Sequence, residues 1–330
     1  MSGHAIHTAL TRILNISQPL LLAPMAGVSG GALAKAVSRA GGLGIIGGGY
    51  GDEDWIQTQF GVAGNSPVGV GFITWSLARQ PRLLDIALAH QPRAVFLSFG
   101  DARPFTDTIK AAGALLIMQV QTLAQAREAL DLGADILVAQ GGEAGGHGAR
   151  RATLPLVPAI VDIAAGVPVV AAGGIADGRG LAASLMLGAS GVLMGSRFYA
   201  SRESLATQGA KTTAIAGCGD STSKSSVYDH LRGIDWPGAF TLRTLANRMT
   251  ADWCRDRKAF LEHLPTHRKT FSTALDDQDF ARAPVIVGEA VDLIRSIPDA
   301  ATIVQDTVRQ AASLLARLPH VDLQTEHEPQ

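Results

Sequence analysis

Apolar residues gather in eight short runs along the first two-thirds of the chain, at residues 20–23, 44–46, 68–72, 94–97, 115–119, 136–140, 168–171 and 191–194. The runs are continuous rather than alternating, the pattern of strands buried on both faces. Between them lie segments with helical spacing, among them 31–40, 83–90, 122–132, 156–165 and 178–187. Ser29, Thr122 and Asp177 stand where helix caps are expected, and Gly133 and Gly188 where helices stop. Strict β-α alternation with eight strands predicts an α/β fold, a (β/α)8 TIM barrel. An open doubly wound sheet is the alternative that a count of eight leaves standing.

Beyond Glu203 the pattern changes. Residues 207–226 are small and polar, and residues 236–263 carry Trp236, Phe240, Trp253 and Phe260 in a helical, charged context. This predicts a small helical subdomain inserted after the eighth strand. Residues 285–297 and 300–318 are amphipathic and are expected to complete the outer helical layer; the last dozen residues are polar and expected to fray. The division is therefore 1–206 for the barrel, 207–275 for the subdomain and 276–330 for the C-terminal helices.

Composition narrows the class. Lys and Arg number 28 against 29 Asp and Glu, so no electrostatic footprint for nucleic acid or an anionic membrane is present. Charged residues make up 17% of the 330, below the roughly 25% of average proteins, as expected when a whole parallel sheet lies under helices. Cys218 and Cys254 lack zinc-type or CxxC spacing, which points away from a disulfide framework and toward the cytoplasm. Residues 154–175 look superficially like a membrane span, but Asp162, three prolines and Gly173-Gly174 argue against one. The nine histidines are dispersed, so no metal-ligand set is expected.

Chemistry in such a barrel sits at the carboxyl ends of the strands. After the seventh run come Gly173 and Gly174, and after the eighth Met194-Gly195-Ser196. Two glycine loops at these strands fit a phosphate site, since backbone N–H groups can approach oxygens with no Cβ between; tight turns alone are the other reading. After the sixth run stands Gln140-Gly-Gly-Glu143-Ala-Gly145-Gly146-His147-Gly. His147, flanked by glycine, has no evident packing role and titrates near neutrality, at a reference value of about 6.5, so it is a candidate base. Glu143 either orients that imidazole or faces water, with water preferred. Pro24 sets the turn after the first run, and Met25 serves either as a soft apolar surface for a flat ring or as core. Gly71 ends the third run. Gln119 and Gln140 are amides at an apolar mouth and need partners, which a bound heterocycle would supply.

Several of these strings resemble the nitronate monooxygenase (2-nitropropane dioxygenase) family. Residues 36–44 with the Pro24-Met25 turn resemble its N-terminal part, Glu143-Ala-Gly-Gly-His147 its active-site segment, and residues 171–180 and 194–202 its phosphate loops. The resemblance implies a TIM barrel with non-covalent FMN. It places Pro24, Met25, Gly71, Gln119, Gln140, Gly145 and Gly146 around the flavin ring and ribityl chain, with Gly173, Gly174, Met194, Gly195 and Ser196 at the phosphate. His147 falls on the family's catalytic histidine. The implied reaction is oxidation of an alkyl nitronate by O2, as co-substrate, to a carbonyl compound and nitrite. A homodimer is compatible with this reading.

Departures exist. Many relatives carry asparagine where this chain has Gly71, and some have Gly-Gly-Met where it has Ala-Pro-Met. Residues 40–49 are especially similar to the flavin-dependent enoyl-acyl-carrier-protein reductases. An NAD(P)H-dependent reductase of an enoyl thioester or quinone is therefore the alternative activity.

Overall fold

A strand whose residues are apolar at both parities needs apolar cover on two sides. The computed structural model, which describes residues 5–316, supplies it by rolling the sheet into a barrel. The strands are β1 (Leu20–Leu22), β2 (Ile45–Gly47), β3 (Gly69–Ile73), β4 (Ala94–Ser98), β5 (Leu115–Val120), β6 (Ile136–Gln140), β7 (Val169–Ala172) and β8 (Gly191–Met194). All neighbours pair in parallel in the order β1-β8-β7-β6-β5-β4-β3-β2. A bridge between Leu21 and Leu43, just ahead of β2, closes the circle. The (β/α)8 barrel expected from the alternation is the fold.

The two parities face different cores. Leu21, Ile45, Phe96, Ile117, Ile136, Val138, Val170 and Leu193 point inward. Leu20, Ile46, Val70, Leu97, Leu116, Leu137, Ala171, Val192 and Met194 point outward against helices. A helix the sequence pattern did not announce, Ala9–Leu14, packs Leu10 and Leu14 against the inward set. The Arg93 guanidinium donates from Nε to the Leu14 carbonyl at 3.0 Å, which ties that helix to β4.

Seven helices follow the alternation: Gly31–Arg39, Glu53–Ala63, Arg82–Ala89, Arg103–Ala111, Leu123–Asp131, Thr153–Val161 and Gly178–Met186. Thr122 and Asp177 cap as expected, accepting from the backbone N–H of Gln125 and Arg179. Ser29 does not cap. The cap position is Gly30, and the Ser29 hydroxyl instead accepts from the Met25 N–H at 2.7 Å, tightening the turn after β1. The helix expected at 156–165 begins earlier, at Thr153, because the Glu143 carboxylate satisfies the Thr153 N–H. Ala300–Ala316 packs between Gly178–Met186 and Gly31–Arg39 and fills the ring's last place. The expected fraying of the final dozen residues lies outside the described part.

Residues 207–275 contain helices but also two strands, Thr222–Ser225 and Thr241–Leu245, which pair antiparallel. The second strand also pairs with Gly146–Gly148, so the segment after β6 is woven into a three-stranded sheet above the barrel. Val227, Tyr228, Leu231, Leu242, Met249, Trp253, Phe260 and Phe271 give this region its own apolar cluster. No helix among the described residues is long and apolar enough to cross a membrane; residues 154–175 split into a helix, a turn and β7.

Candidate active site

The carboxyl ends of the strands open into one cavity. Pro24, Met25, Gly71, Gln119, Gln140, Gly145, Gly146, His147, Gly173, Gly174, Gly195 and Ser196 all line it. Met194 does not. As the last residue of β8 it has outward parity, is 0% exposed and packs against the helices, so its side chain cannot reach the mouth.

Glycine shapes the cavity wall in two ways. A methyl group on Gly71 would overlap the Pro24 ring, so the tight turn after β1 and the small residue in β3 require each other. Asparagine at Gly71 could enter only if Pro24 moved. Gly173 and Gly174 have φ of +99° and +72°, a region that side chains disfavour. Among the described residues the N–H groups of Gly174, Gly195 and Ser196 donate to no protein acceptor. Ser196 Oγ accepts from the Gly288 N–H at 2.8 Å, which leaves its own proton available as a donor.

The two amides do not wait for a ligand in the way the sequence suggested. Gln119 Nε2 donates to Gln140 Oε1 at 3.1 Å, and Gln121 Nε2 donates to the same oxygen. Gln140 Nε2 in turn donates to the His147 carbonyl at 3.3 Å. Gln140 is thus a clamp between β6 and the histidine's backbone. The Gln119 carbonyl oxygen makes no bond to protein among the described residues and lies at the cavity.

His147 is not a loose loop residue. It sits in the Gly146–Gly148 strand opposite Leu242 and is 8% exposed. Its Nε2 lies 3.0 and 3.2 Å from the two carboxylate oxygens of Asp229, itself 4% exposed. Arg232 Nη2 reaches the same Asp229 oxygen at 2.9 Å. The Trp236 ring lies flat on the imidazole, 3.5 Å between centroids and 8° between planes. Trp236 Nε1 donates to the Tyr50 hydroxyl at 3.0 Å. Burial pulls the imidazole below its ordinary value of 6.5, and the Asp229 carboxylate offsets this only in part. The same burial raises the Tyr50 hydroxyl, against the opposing pull of Arg232.

Glu143 neither orients His147 nor stands in water. Its carboxylate accepts from the Thr153 N–H at 2.9 Å and from the Thr153 hydroxyl at 2.9 Å, and its carbonyl accepts from the Glu289 N–H. Lys224 donates to the carbonyls of Gly148 and Ala149, and burial lowers its ammonium to about 8.

The chain that places this histidine in a glycine-walled barrel mouth matches the Nitronate monooxygenase family over residues 7–70 and 73–310. The chain belongs to the nitronate monooxygenase family. Nitronate monooxygenase npaC of Metarhizium robertsii is 38% identical, the match spanning 90% of this chain and 92% of that protein. Among solved structures, FabK from Thermotoga maritima superposes with a TM-score of 0.83 at 28% identity, over 95% of this chain and 98% of that one. Nitroalkane oxidase from Streptomyces ansochromogenes gives a TM-score of 0.76 at 26% identity, over 94% and 100%. The chain is accordingly an oxidoreductase.

Within this nitronate monooxygenase fold the residues not foreseen from sequence are Asp229, Arg232 and Tyr50, together with the placement of Trp236. Asp229 and Arg232 show a helical i, i+3 charge pair in the sequence, but a pair of that kind is normally a solvated helix face. Nothing local announces that it closes over a histidine 82 residues earlier.

Proposed function

We propose that this flavin enzyme binds FMN and uses O2 to oxidise alkyl nitronates to a carbonyl compound and nitrite, with His147 as base for neutral nitroalkanes. The observation that carries the reading is the pairing of His147 with an unobstructed glycine wall in one cavity. The donor set fits the cofactor. Unpaired N–H groups at Gly174, Gly195 and Ser196, with the Ser196 hydroxyl, suit a phosphate dianion, for which β7–β8 loops of barrels are a recurrent site. Pro24, Met25, Gly71, Gly145 and Gly146 would border the ring system, and the open Gln119 carbonyl would accept from a ring N–H.

FMN, when bound, supplies the two-electron acceptor and the site of O2 reduction. The chain's own part is different. His147 accepts the α-proton of a neutral nitroalkane. Trp236, Tyr50, Phe99 and Leu242 keep that side of the cavity apolar and exclude water. Residues 207–275 serve as the cover of the substrate side.

The test is a visible spectrum of the purified protein with identification of the released flavin, followed by oxygen uptake and nitrite release on propyl-2-nitronate. A colourless protein that cannot be reconstituted with FMN would remove the cofactor assignment. The likeness to FabK supports a second, reductive reading. Rapid anaerobic bleaching of the flavin by NADH, without turnover of the nitronate, would favour it.

A further inference from the structure

Two contacts fix the His147 ring completely. The Trp236 face sets its plane, and the Asp229 carboxylate sets its rotation within that plane. A carboxylate accepts but does not donate, so the nitrogen facing it must carry the proton when the imidazole is neutral. That nitrogen is Nε2. Nδ1 has no hydrogen-bond partner among the described residues, and His147 borders the cavity. We propose that Asp229 is a positioning residue that holds His147 as the Nε2–H tautomer, making Nδ1 the atom that takes the substrate proton. This rests on the reading of His147 as base.

The neighbouring charges support the division of roles. Arg232 binds the same Asp229 oxygen as Nε2 does, so the carboxylate is held from a second side in the orientation that meets the ring. Lys224 is the other charged group that bears on His147, and it opposes an imidazolium as Arg232 does. Glu143 is engaged at Thr153 and takes no part. In the proton-transfer step, the C–H bond next to the nitro group breaks and its electron pair moves into that group, forming the nitronate. The proton goes to Nδ1. The imidazolium keeps Nε2–H, and Asp229 stays a carboxylate throughout, stabilising the new cation. When preformed nitronate is supplied this step is absent, so Asp229 matters less.

The experiment has two arms on the full-length, flavin-loaded protein. In ¹⁵N-histidine-labelled protein at high pH, with His147→Gln used for assignment, Nε2 should show the proton-bearing shift and Nδ1 the bare one. A proton on Nδ1 would overturn the proposal. In the kinetic arm, Asp229→Asn should lower kcat/KM on neutral nitroethane by about 10²-fold, within the usual range for a general base. It should leave ethylnitronate within about threefold and flavin content unchanged, and Asp229→Glu should restore part of the loss. Equal losses on both substrates, or none on either, would also overturn it. Should the wild type act on neither nitro compound, the functional reading fails, and the labelling arm still decides the tautomer.

Discussion

Glu143→Ala separates the carboxylate that holds the loop from the one that serves the histidine. Glu143 receives the N–H and hydroxyl of Thr153, at the start of a helix whose cap position, Ala152, offers no side-chain acceptor. Removing it leaves that first N–H unpaired and takes a negative charge from a helix N-terminus. Loss of a cap costs about 0.5–2 kcal/mol, and a charge-assisted bond contributes about 1.5–3. With Glu143 half-buried and water able to replace part of the interaction, the expected cost is about 2 kcal/mol. An unfolding entropy of about 2.1 cal/mol/K per residue gives about 0.7 kcal/mol/K for 330 residues, hence a fall in Tm of about 3 °C. Glu143→Gln keeps one acceptor oxygen and should lose about half of that. Differential scanning calorimetry at fixed flavin saturation measures both, while the acid limb of kcat/KM should stay where the wild type has it. An unchanged Tm would refute the capping role, and an acid limb that moves with Glu143→Ala would show that this carboxylate acts on His147 after all.

Four further outcomes follow from the same geometry. Because burial lowers the His147 imidazole, the neutral base persists below pH 6.5, so kcat/KM on a neutral nitroalkane should hold through that value and fall only at lower pH. The same shift means the unfolded chain binds this proton more readily, so His147's contribution to stability should decline as pH drops below about 6.5; the gap between the denaturant midpoints of wild type and His147→Gln should be constant above that pH and narrow below it. Gly71→Asn should crowd Pro24, cost about 1–3 kcal/mol by overpacking and weaken flavin retention on a desalting column, whereas relaxation by Pro24→Gly should restore binding. Tyr50→Phe removes the acceptor for Trp236 Nε1 at a cost of about 0.5–1.5 kcal/mol, and should raise KM more than it lowers kcat; an unchanged KM would deny Trp236 a place at the substrate.

Much of the barrel was legible because it is written in local terms. Eight continuous apolar runs, each with both parities apolar, require a parallel sheet covered on both faces, and the strand order with the Leu21–Leu43 bridge decides for a closed barrel over an open doubly wound sheet. The glycine loops after β7 and β8 and the glycine flanks of His147 were visible because close backbone approach and positive φ demand that residue type. The strand parity that withdraws Met194 from the mouth is also local, yet it becomes decisive only once β8 has a fixed end.

The rest required the folded chain. The Thr222–Ser225 strand is polar and becomes a strand only through its partner Thr241–Leu245, which in turn pairs with Gly146–Gly148. Glu143 stands four residues before His147, yet it caps a helix, while the carboxylate that meets the imidazole comes from 82 residues away. Sequence determined which chain could build a barrel with a ligand-ready rim. Tertiary structure alone decided which acid, which ring and which nitrogen the histidine would have, because hydrogen bonds and stacking depend on distances that separation along the chain does not encode.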